Sequence, residues 1–250
     1  DQQVDAMWEQ IFKLRRIDRE DPVAAWKEHI AQLQDAAKYL NEKQYDALHY
    51  TAPGTDFTVG LPVGHLWNSA QSDTMNGVTF TPNLPTEEIF TLGDKNRAEG
   101  TLKASMPLSY GGRLIEDFSM VFKGGRVVVV RAGKNEQALK DLLDVDDGAG
   151  RVGEIALVPH SSPIAQSGRL FYNTLYDENA ASHIAVGRAY RFTLKGGESM
   201  SAEDFAAAGG NYSLVHVDFM IGSAEMDIDG ITKDGAKEPL MRKGEWAYKG

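Results

Sequence analysis

Hydrophobic positions in the first 45 residues recur at helical spacing and predict two helices. The first helix runs into a charged break over residues 15–20. Asp21 and Pro22 then match a helix N-cap followed by proline at the first helical position. The second helix carries one narrow apolar seam, formed by Val23, Trp26, Ile30, Leu33, Ala37 and Leu40. The seam is too short for a coiled coil and favours an amphipathic helix that covers a sheet or joins two domains.

After residue 45 the pattern changes to short β-rich segments separated by turns. Strands are predicted at residues 57–61, 78–80, 114–122 and 126–132. A hairpin turn is predicted at residues 123–125 and a short helix at residues 135–143. This mixture predicts an α+β fold with mixed, mostly antiparallel sheets and flanking helices. No Gly-x-Gly-x-x-Gly or Walker loop occurs, so a nucleotide cofactor is unsupported.

One strand-like run, residues 213–221, combines apolar residues with two metal-type ligands. In a strand, Val215, Val217, Phe219 and Ile221 share one face, and His216 and Asp218 share the other. A buried imidazole and carboxylate must be hydrogen-bonded, paired or coordinated. The run alone leaves a hydrogen-bonded pair and a metal site equally open.

Composition narrows the chemistry. The 250 residues are 42% hydrophobic and 25% charged, which is typical of a globular protein. A net charge of -10 argues against nucleic acid or an anionic membrane as partner. The absence of cysteine excludes disulfides and thiolate sites, so any metal would be zinc, cobalt, manganese or magnesium on His and carboxylate ligands. No apolar run predicts a membrane span and no signal-peptide pattern opens the chain, so we expect a cytoplasmic location.

Two further segments carry acids beside apolar residues. Glu87 and Glu88 precede an apolar pair, and on an extended chain they face opposite ways, so one can bind a metal while the other acts as a base or points to solvent. The alternative is a surface acidic pair at a turn. Glu154 lies within a predicted buried strand, where a salt bridge to Arg151 or another cation is the alternative to metal binding.

Residues 176–190 predict a helix that starts at a cap on Asp177 or Asn179. His183 and Tyr190 are two turns apart and would share one face, with Glu178 at the helix mouth. Core packing is the alternative reading of that face. The inventory of candidate ligands is two imidazoles and four carboxylates: Glu88, Glu154, Glu178, His183, His216 and Asp218. It suits two divalent ions bridged by a carboxylate.

Four motifs resemble those of a known family, the metal-dependent aminopeptidases that include aminopeptidase T, aminopeptidase S and PepS. They are Asn83-Leu84-Pro85-Thr86-Glu87-Glu88, the segment from Gly153 to Pro159, the segment from Leu175 to Ala185 and the segment from Val215 to Ser223. Further agreement lies at residues 55–59 and 239–242. The resemblance covers residue 46 to the end of the chain.

The resemblance implies a two-metal aminopeptidase that removes N-terminal amino acids from peptides, and a homodimer with an enclosed cavity. Carried over by position, the six candidate ligands would bind two divalent ions and Tyr190 would be a nearby catalytic residue. Residues 46–250 would form the catalytic and dimerisation domain. Because the chain starts at Asp1 within a helical pattern, we expect residues 1–45 to be the last helices of an N-terminal domain of a longer protein.

Three functional alternatives remain at this point. In the first, two metals hold the substrate and an activated water, Glu87 acts as general base, and the Tyr190 phenol donates to the oxyanion. The second is another dinuclear metallohydrolase such as a phosphoesterase, which would favour a more basic pocket. The third is a metal-empty, inactive dimerisation fragment of such an enzyme.

Overall fold

Two sheets of unequal size organise the chain in a computed structural model that describes residues 2–248. The helices in that range are α1 (Gln2–Leu14), α2 (Pro22–Lys43), α3 (Glu136–Leu143), α4 (Pro163–Gln166), α5 (Thr174–Glu178) and α6 (Ala202–Ala207), with 3-10 turns at Arg191–Thr193 and Gly197–Ser199. The strands are β1 (Ala47–Ala52), β2 (Thr55–Gly60), β3 (Ser72–Asp73), β4 (Thr79–Phe80), β5 (Ile89–Leu92), β6 (Ala98–Lys103), β7 (Leu108–Tyr110), β8 (Arg113–Lys123), β9 (Arg126–Lys134), β10 (Val152–Leu157), β11 (His183–Gly187), β12 (His216–Met220), β13 (Asp227–Ile231), β14 (Lys237–Arg242) and β15 (Glu245–Trp246).

The larger sheet has nine strands in the order β15-β14-β13-β1-β2-β6-β8-β7, with β9 paired to β8. The smaller sheet has the order β12-β11-β10-β5 and is called the site sheet below. β3 and β4 form a separate hairpin. All of these strand pairs run antiparallel, which confirms the predicted α+β class with antiparallel sheets.

The main core joins the two sheets. One face of the site sheet supplies Ile155, Ile184, Val186 and Phe219, which pack in the same cluster as Phe57, Phe118 and Phe122 of the larger sheet. The rings of Phe118 and Phe219 lie 5.7 Å apart and connect the two layers. The opposite face of the site sheet is thereby left for polar side chains.

Both predicted N-terminal helices are present. Asp21 caps α2, because its side chain accepts a hydrogen bond from the backbone N–H of Ala24 at 3.0 Å. The apolar seam of α2 is buried at Leu33, Ala37 and Leu40 and exposed at Val23. The helix therefore covers the sheets with its C-terminal half, one of the two arrangements that its seam predicted. Its membership of a separate domain stays a prediction.

The predicted strands and the short helix are also present, with ends shifted by a few residues. The hairpin turn at residues 123–125 joins β8 to β9, and Gly124 and Gly125 adopt positive φ there. Within residues 2–248 no helix combines the length and the apolar surface needed to cross a membrane.

We expect Leu40→Ala to lower the free energy of unfolding by about 2–5 kcal/mol, because the side chain is fully buried and its removal leaves a cavity. Urea unfolding followed by circular dichroism measures the change. Val23→Ala on the same helix is the matched control, since Val23 is 63% exposed, and its effect should stay within about 0.5 kcal/mol. Equal effects at the two positions would contradict the burial of this seam.

Candidate metal centre

The candidate ligands lie on the polar face of the site sheet. Glu154 of β10 pairs with Ala185 of β11, and Ala185 pairs with Asp218 of β12. Residues directly opposite one another in neighbouring strands point to the same side, so these three form one row. His183 lies two residues before Ala185, and His216 two before Asp218, so both imidazoles face the same way. The small Ala185 side chain leaves space between the two carboxylates.

The close approach of β11 and β12 depends on a glycine. Gly187 of β11 pairs with His216, and its φ of +101° lies in the region that favours glycine. A Cβ atom there would be 2.1 Å from the carbonyl oxygen of Val215. Any other residue would therefore separate the strands and move His216.

Two groups of potential ligands share one carboxylate. The first ligand group is Glu88, Glu154 and His183, and the second is Glu154, His216 and Asp218. In each group, one ligand atom per residue lies within 4.8 Å of the others. Nε2 of His183 is 3.8 Å from Oε1 of Glu154, and Nε2 of His216 is 3.9 Å from Oε2 of the same side chain. The two oxygens of Glu154 thus face different groups.

Both imidazoles have their Nδ1 atoms engaged by backbone carbonyls. Nδ1–H of His183 donates to the oxygen of Ala181 at 3.0 Å, and Nδ1–H of His216 donates to that of Arg188 at 2.7 Å. A carbonyl can only accept, so a neutral ring presents an Nε2 lone pair to the acids. Such an anchored Nδ1 is the usual arrangement of a metal-binding histidine.

Three buried polar atoms at the centre have no hydrogen-bond partner: Nε2 of His183, Oε2 of Glu88 and Oδ1 of Asp218. Nε2 of His183 is 3.1 Å from Oε2 of Glu88, without hydrogen-bond geometry, and 4.0 Å from Oδ1 of Asp218. Buried acceptors that face one another are costly unless a cation lies between them. The donor set of imidazole nitrogen and carboxylate oxygen fits a divalent ion such as zinc, cobalt or manganese.

The pKa shifts reflect the same crowding of negative charge. Burial raises the pKa of Glu154, and the nearby charges of Asp218 and Glu88 raise it further. Burial alone would lower the pKa of His183, but its contacts with Glu154 and Glu88 raise it well above the usual value. Burial opposes charge on His216 as well, yet Asp218 raises its pKa to about 9. The centre therefore attracts positive charge, whether protons or metal ions.

Glu178 and Tyr190 lie at the cavity over these groups. The cavity has a volume of about 510 Å³, and its lining includes Glu88, Glu154, Glu178, Tyr190, His216 and Asp218. Burial, followed by the charge on Glu88, raises the pKa of Glu178. The Tyr190 ring is 4.8 Å from the imidazole of His216. Five of the six candidate ligands thus form the two groups, and Glu178 lies beside them.

The predicted helix over residues 176–190 is wrong. Helix α5 ends at Glu178, and Asn179 follows its last turn with Nδ2–H donating to the carbonyl of Leu175 at 2.8 Å. His183 instead opens β11, whose five residues are all buried. Ile184 and Val186 are β-branched and pack into the core, which favours a strand over the local helix signal of the alanines. His183 and Tyr190 therefore do not share a helix face.

The structure separates the two adjacent acids. Glu88 joins the first ligand group, whereas the carboxylate of Glu87 accepts hydrogen bonds from Arg16 at 2.6 and 3.0 Å and has no place in either group. Their opposite orientations match the expectation for an extended chain. Glu87 is buried rather than at the surface, and its role as base stays a prediction. The guanidinium of Arg151 donates to the carbonyl of Lys95 and forms no ion pair with Glu154. The groups that can carry positive charge near Glu154 are instead the imidazoles of His183 and His216, at 3.8 and 3.9 Å.

An aromatic wall, formed by Phe90, Tyr190 and Phe192, bounds the cavity. The sequence pattern does not predict it. The Tyr190 and Phe192 rings stack at 5.4 Å, and the Phe90 ring meets Phe192 edge-on at 6.1 Å. The sequence contains little local signal for this wall, because Phe90 lies far along the chain from Tyr190 and Phe192. The available signal is that Phe90 lies two residues after Glu88 and that Tyr190 and Phe192 follow His183 in the sequence.

Comparison with known proteins agrees with a metallopeptidase fold. The sequence profile of the thermophilic metalloprotease (M29) family matches residues 1–246, and the chain belongs to that family. It is 51% identical over 245 residues to aminopeptidase 2 of Geobacillus stearothermophilus, and 52% identical over 243 residues to aminopeptidase T of Thermus aquaticus. These alignments cover 98% and 97% of this chain and 59% of each relative. The chain thus spans about three-fifths of their length.

Among solved structures, wild-type AmpT from Thermus thermophilus superposes with a TM-score of 0.91 at 50% identity, over 98% of this chain and 59% of that one. A 2,5-dihydroxypyridine dioxygenase from Pseudomonas putida superposes with a TM-score of 0.57 at 16% identity, over 92% of this chain and 64% of that one. The second likeness concerns the fold alone. The members of this family are metalloproteases, and the imidazole and carboxylate groups on the site sheet agree with that class of protein.

We expect cobalt or zinc to stabilise the protein, because ions that bind only the folded chain shift the unfolding equilibrium. At 100 times Kd the gain is about 2.7 kcal/mol, which raises Tm by about 5–10 °C. His216→Gln should abolish most of this shift in differential scanning calorimetry. His49→Gln is the matched control, because His49 pairs with Asp56 on the other sheet. An equal shift in both variants would contradict binding by His216.

Proposed function

We propose that the chain carries the catalytic site of a metal-dependent aminopeptidase that hydrolyses the N-terminal residue of peptides. The observation that carries the proposal is the pair of ligand groups that share Glu154 and border one cavity, which Glu88, Glu154, His216 and Asp218 line. The names of the relatives, which are aminopeptidases, support the reaction class. The alternative of a metal-empty, inactive dimerisation fragment is less favoured, because both ligand groups keep buried ligand atoms that face one another without a hydrogen-bond partner.

A centre of two divalent ions is the arrangement that the shared carboxylate supports. Glu88 and His183 would hold one ion, His216 and Asp218 the other, and Glu154 would contribute to both. Glu178 would complete the set from the end of α5. When bound, the ions supply Lewis acidity that polarises the scissile carbonyl and activates a water for attack.

The charge of the cavity supports a substrate with a free ammonium group. Carboxylates of Glu88, Glu178 and Asp218 line it, and none of its described lining residues is lysine or arginine. Carboxylates not saturated by the metal ions attract the α-ammonium of a peptide, whereas a phosphoester finds no guanidinium fork among these residues. The aromatic wall offers apolar contact area to the side chain of the first residue.

Tyr190 is the hydrogen-bond donor to the oxyanion in the proposed reaction. Burial raises the pKa of its phenol to about 12, and the neighbouring charges of Glu154 and Asp218 add to the effect. The phenol therefore keeps its proton near neutral pH and can donate a hydrogen bond to a developing oxyanion. Its place beside His216 supports this role.

Two further proposals follow from the family resemblance. Residues 46–250 would be the catalytic and dimerisation domain, and residues 1–45 would belong with an N-terminal domain. A homodimer is proposed on the same resemblance, with residues 46–250 supplying its interface.

We expect hydrolysis of leucyl-p-nitroanilide to be lost in excess chelator and restored by cobalt, zinc or manganese. Release of p-nitroaniline, followed by its absorbance, measures the rate. A p-nitrophenyl phosphate assay on the same sample serves as the control for a phosphoesterase. Full activity in chelator would overturn the metal-dependent mechanism, and turnover of the phosphate alone would overturn the aminopeptidase proposal.

We expect Tyr190→Phe to lower kcat by about 100-fold with little change in KM, since it removes one donor to the transition state. Steady-state kinetics on the same anilide measure both constants. Tyr212→Phe is the matched control, because Tyr212 is 68% exposed and does not line the cavity. Wild-type kcat in Tyr190→Phe would exclude the phenol as donor.

A further inference from the structure

A buried ion pair connects the turn after α1 to the loop that carries Glu88. Nη1 and Nη2 of Arg16 donate to the two oxygens of Glu87, and the Glu87 side chain is only 3% exposed. A two-pronged contact of this kind fixes orientation as well as distance. Since Glu87 precedes Glu88, its orientation restricts the backbone from which the Glu88 carboxylate extends.

The first residues of α2 reinforce the same loop. Nε2–H of His29 donates to the carbonyl oxygen of Thr86 at 2.8 Å, and the same atom is 3.3 Å from Oε2 of Glu87. The Trp26 ring lies under the Arg16 guanidinium, 4.9 Å from it. The loop before Glu88 is thus held by a side chain from the turn and by one from α2.

The backbone of Arg16 adopts a conformation that glycine would adopt at lower cost. Its φ is +57°, directly after the end of α1, at a position where helices favour glycine. A residue with a Cβ in this region is strained unless its surroundings hold it there. The contacts of its guanidinium with Glu87 and Trp26 supply that restraint, which points to a requirement for the side chain.

Asn179 connects the same loop to α5. Its Oδ1 accepts a hydrogen bond from the backbone N–H of Glu87 at 2.6 Å, and its Nδ2–H donates to the carbonyl of Leu175. The residue is fully buried. Because Asn179 follows Glu178, one side chain ties the backbone beside Glu178 to the backbone beside Glu88.

We propose that Arg16 and Asn179 are positioning residues that hold Glu88 and Glu178 at the metal centre through Glu87. The inference rests on the proposed function, since it assigns both glutamates to metal binding. It gives Glu87 a role different from that of a general base: its carboxylate is the anchor point for Arg16.

Cobalt affinity of the metal-free protein, measured by calorimetric titration, tests the proposal without relying on activity. Arg16→Gln, Glu87→Gln and Asn179→Ala should each weaken cobalt binding by about 10-fold to 100-fold, as loss of a residue that orients a ligand commonly does. Arg19→Gln is the matched control, because Arg19 is exposed in the same turn. It should bind cobalt like the wild type.

A double variant, Arg16→Gln with Glu87→Gln, guards against loss of folding, because it leaves no unpaired buried charge. If the pair acts as one unit, the double variant should weaken cobalt binding no more than either single variant does. Wild-type affinity in folded Arg16→Gln would overturn the proposal. So would a Glu87→Gln variant with wild-type affinity but reduced kcat, which would make Glu87 the base. Absence of cobalt binding by the wild type would instead overturn the metal centre itself.

Discussion

The crowding of hydrogen-bond acceptors on one face of a buried sheet is the constraint on which the rest of the structure depends. His183 and His216 commit Nδ1 to backbone carbonyls, so their other nitrogens face the carboxylates of Glu88, Glu154 and Asp218. Without a cation, these groups would repel one another in a region of low dielectric. The protein tolerates the arrangement because a rigid framework holds the acceptors in place and positive charge can enter between them.

That framework is the opposite face of the same sheet. Ile184 and Phe219 alternate with the ligands along their strands and pack into the main core. Buried Ile155, Ile184 and Phe219 thus follow Glu154, His183 and Asp218 directly and anchor their strands to the core. Burial of about 25 cal/mol per Å² of apolar surface offsets part of the cost of gathering like charges on the other face. The alternation of apolar and polar residues along these strands therefore produces both the core on one face and the candidate metal centre on the other.

Sequence patterns predicted the structure correctly where the signal lies within a few neighbouring residues. The alternation around His216 and Asp218 gave their common face, and Asp21 with Pro22 gave the start of α2. The pattern failed at His183, because local alanine content favoured a helix while long-range sheet pairing determined a strand. Contacts such as Arg16 with Glu87 span 71 positions and leave no local signal. Propensity describes short segments, whereas the candidate ligands come from four distant ones.

The distribution of charge links the proposed centre to its proposed substrate. Cationic side chains near the centre are used outside the cavity: Arg16 is bound to Glu87, and Arg188 donates to the carbonyl of Ser213. The acids that line the cavity thus have no lysine or arginine partner among its described lining residues. The same separation explains why the adjacent residues Glu87 and Glu88 have different partners. Arg16 neutralises Glu87, whereas Oε2 of Glu88 has no hydrogen-bond partner and faces the first ligand group.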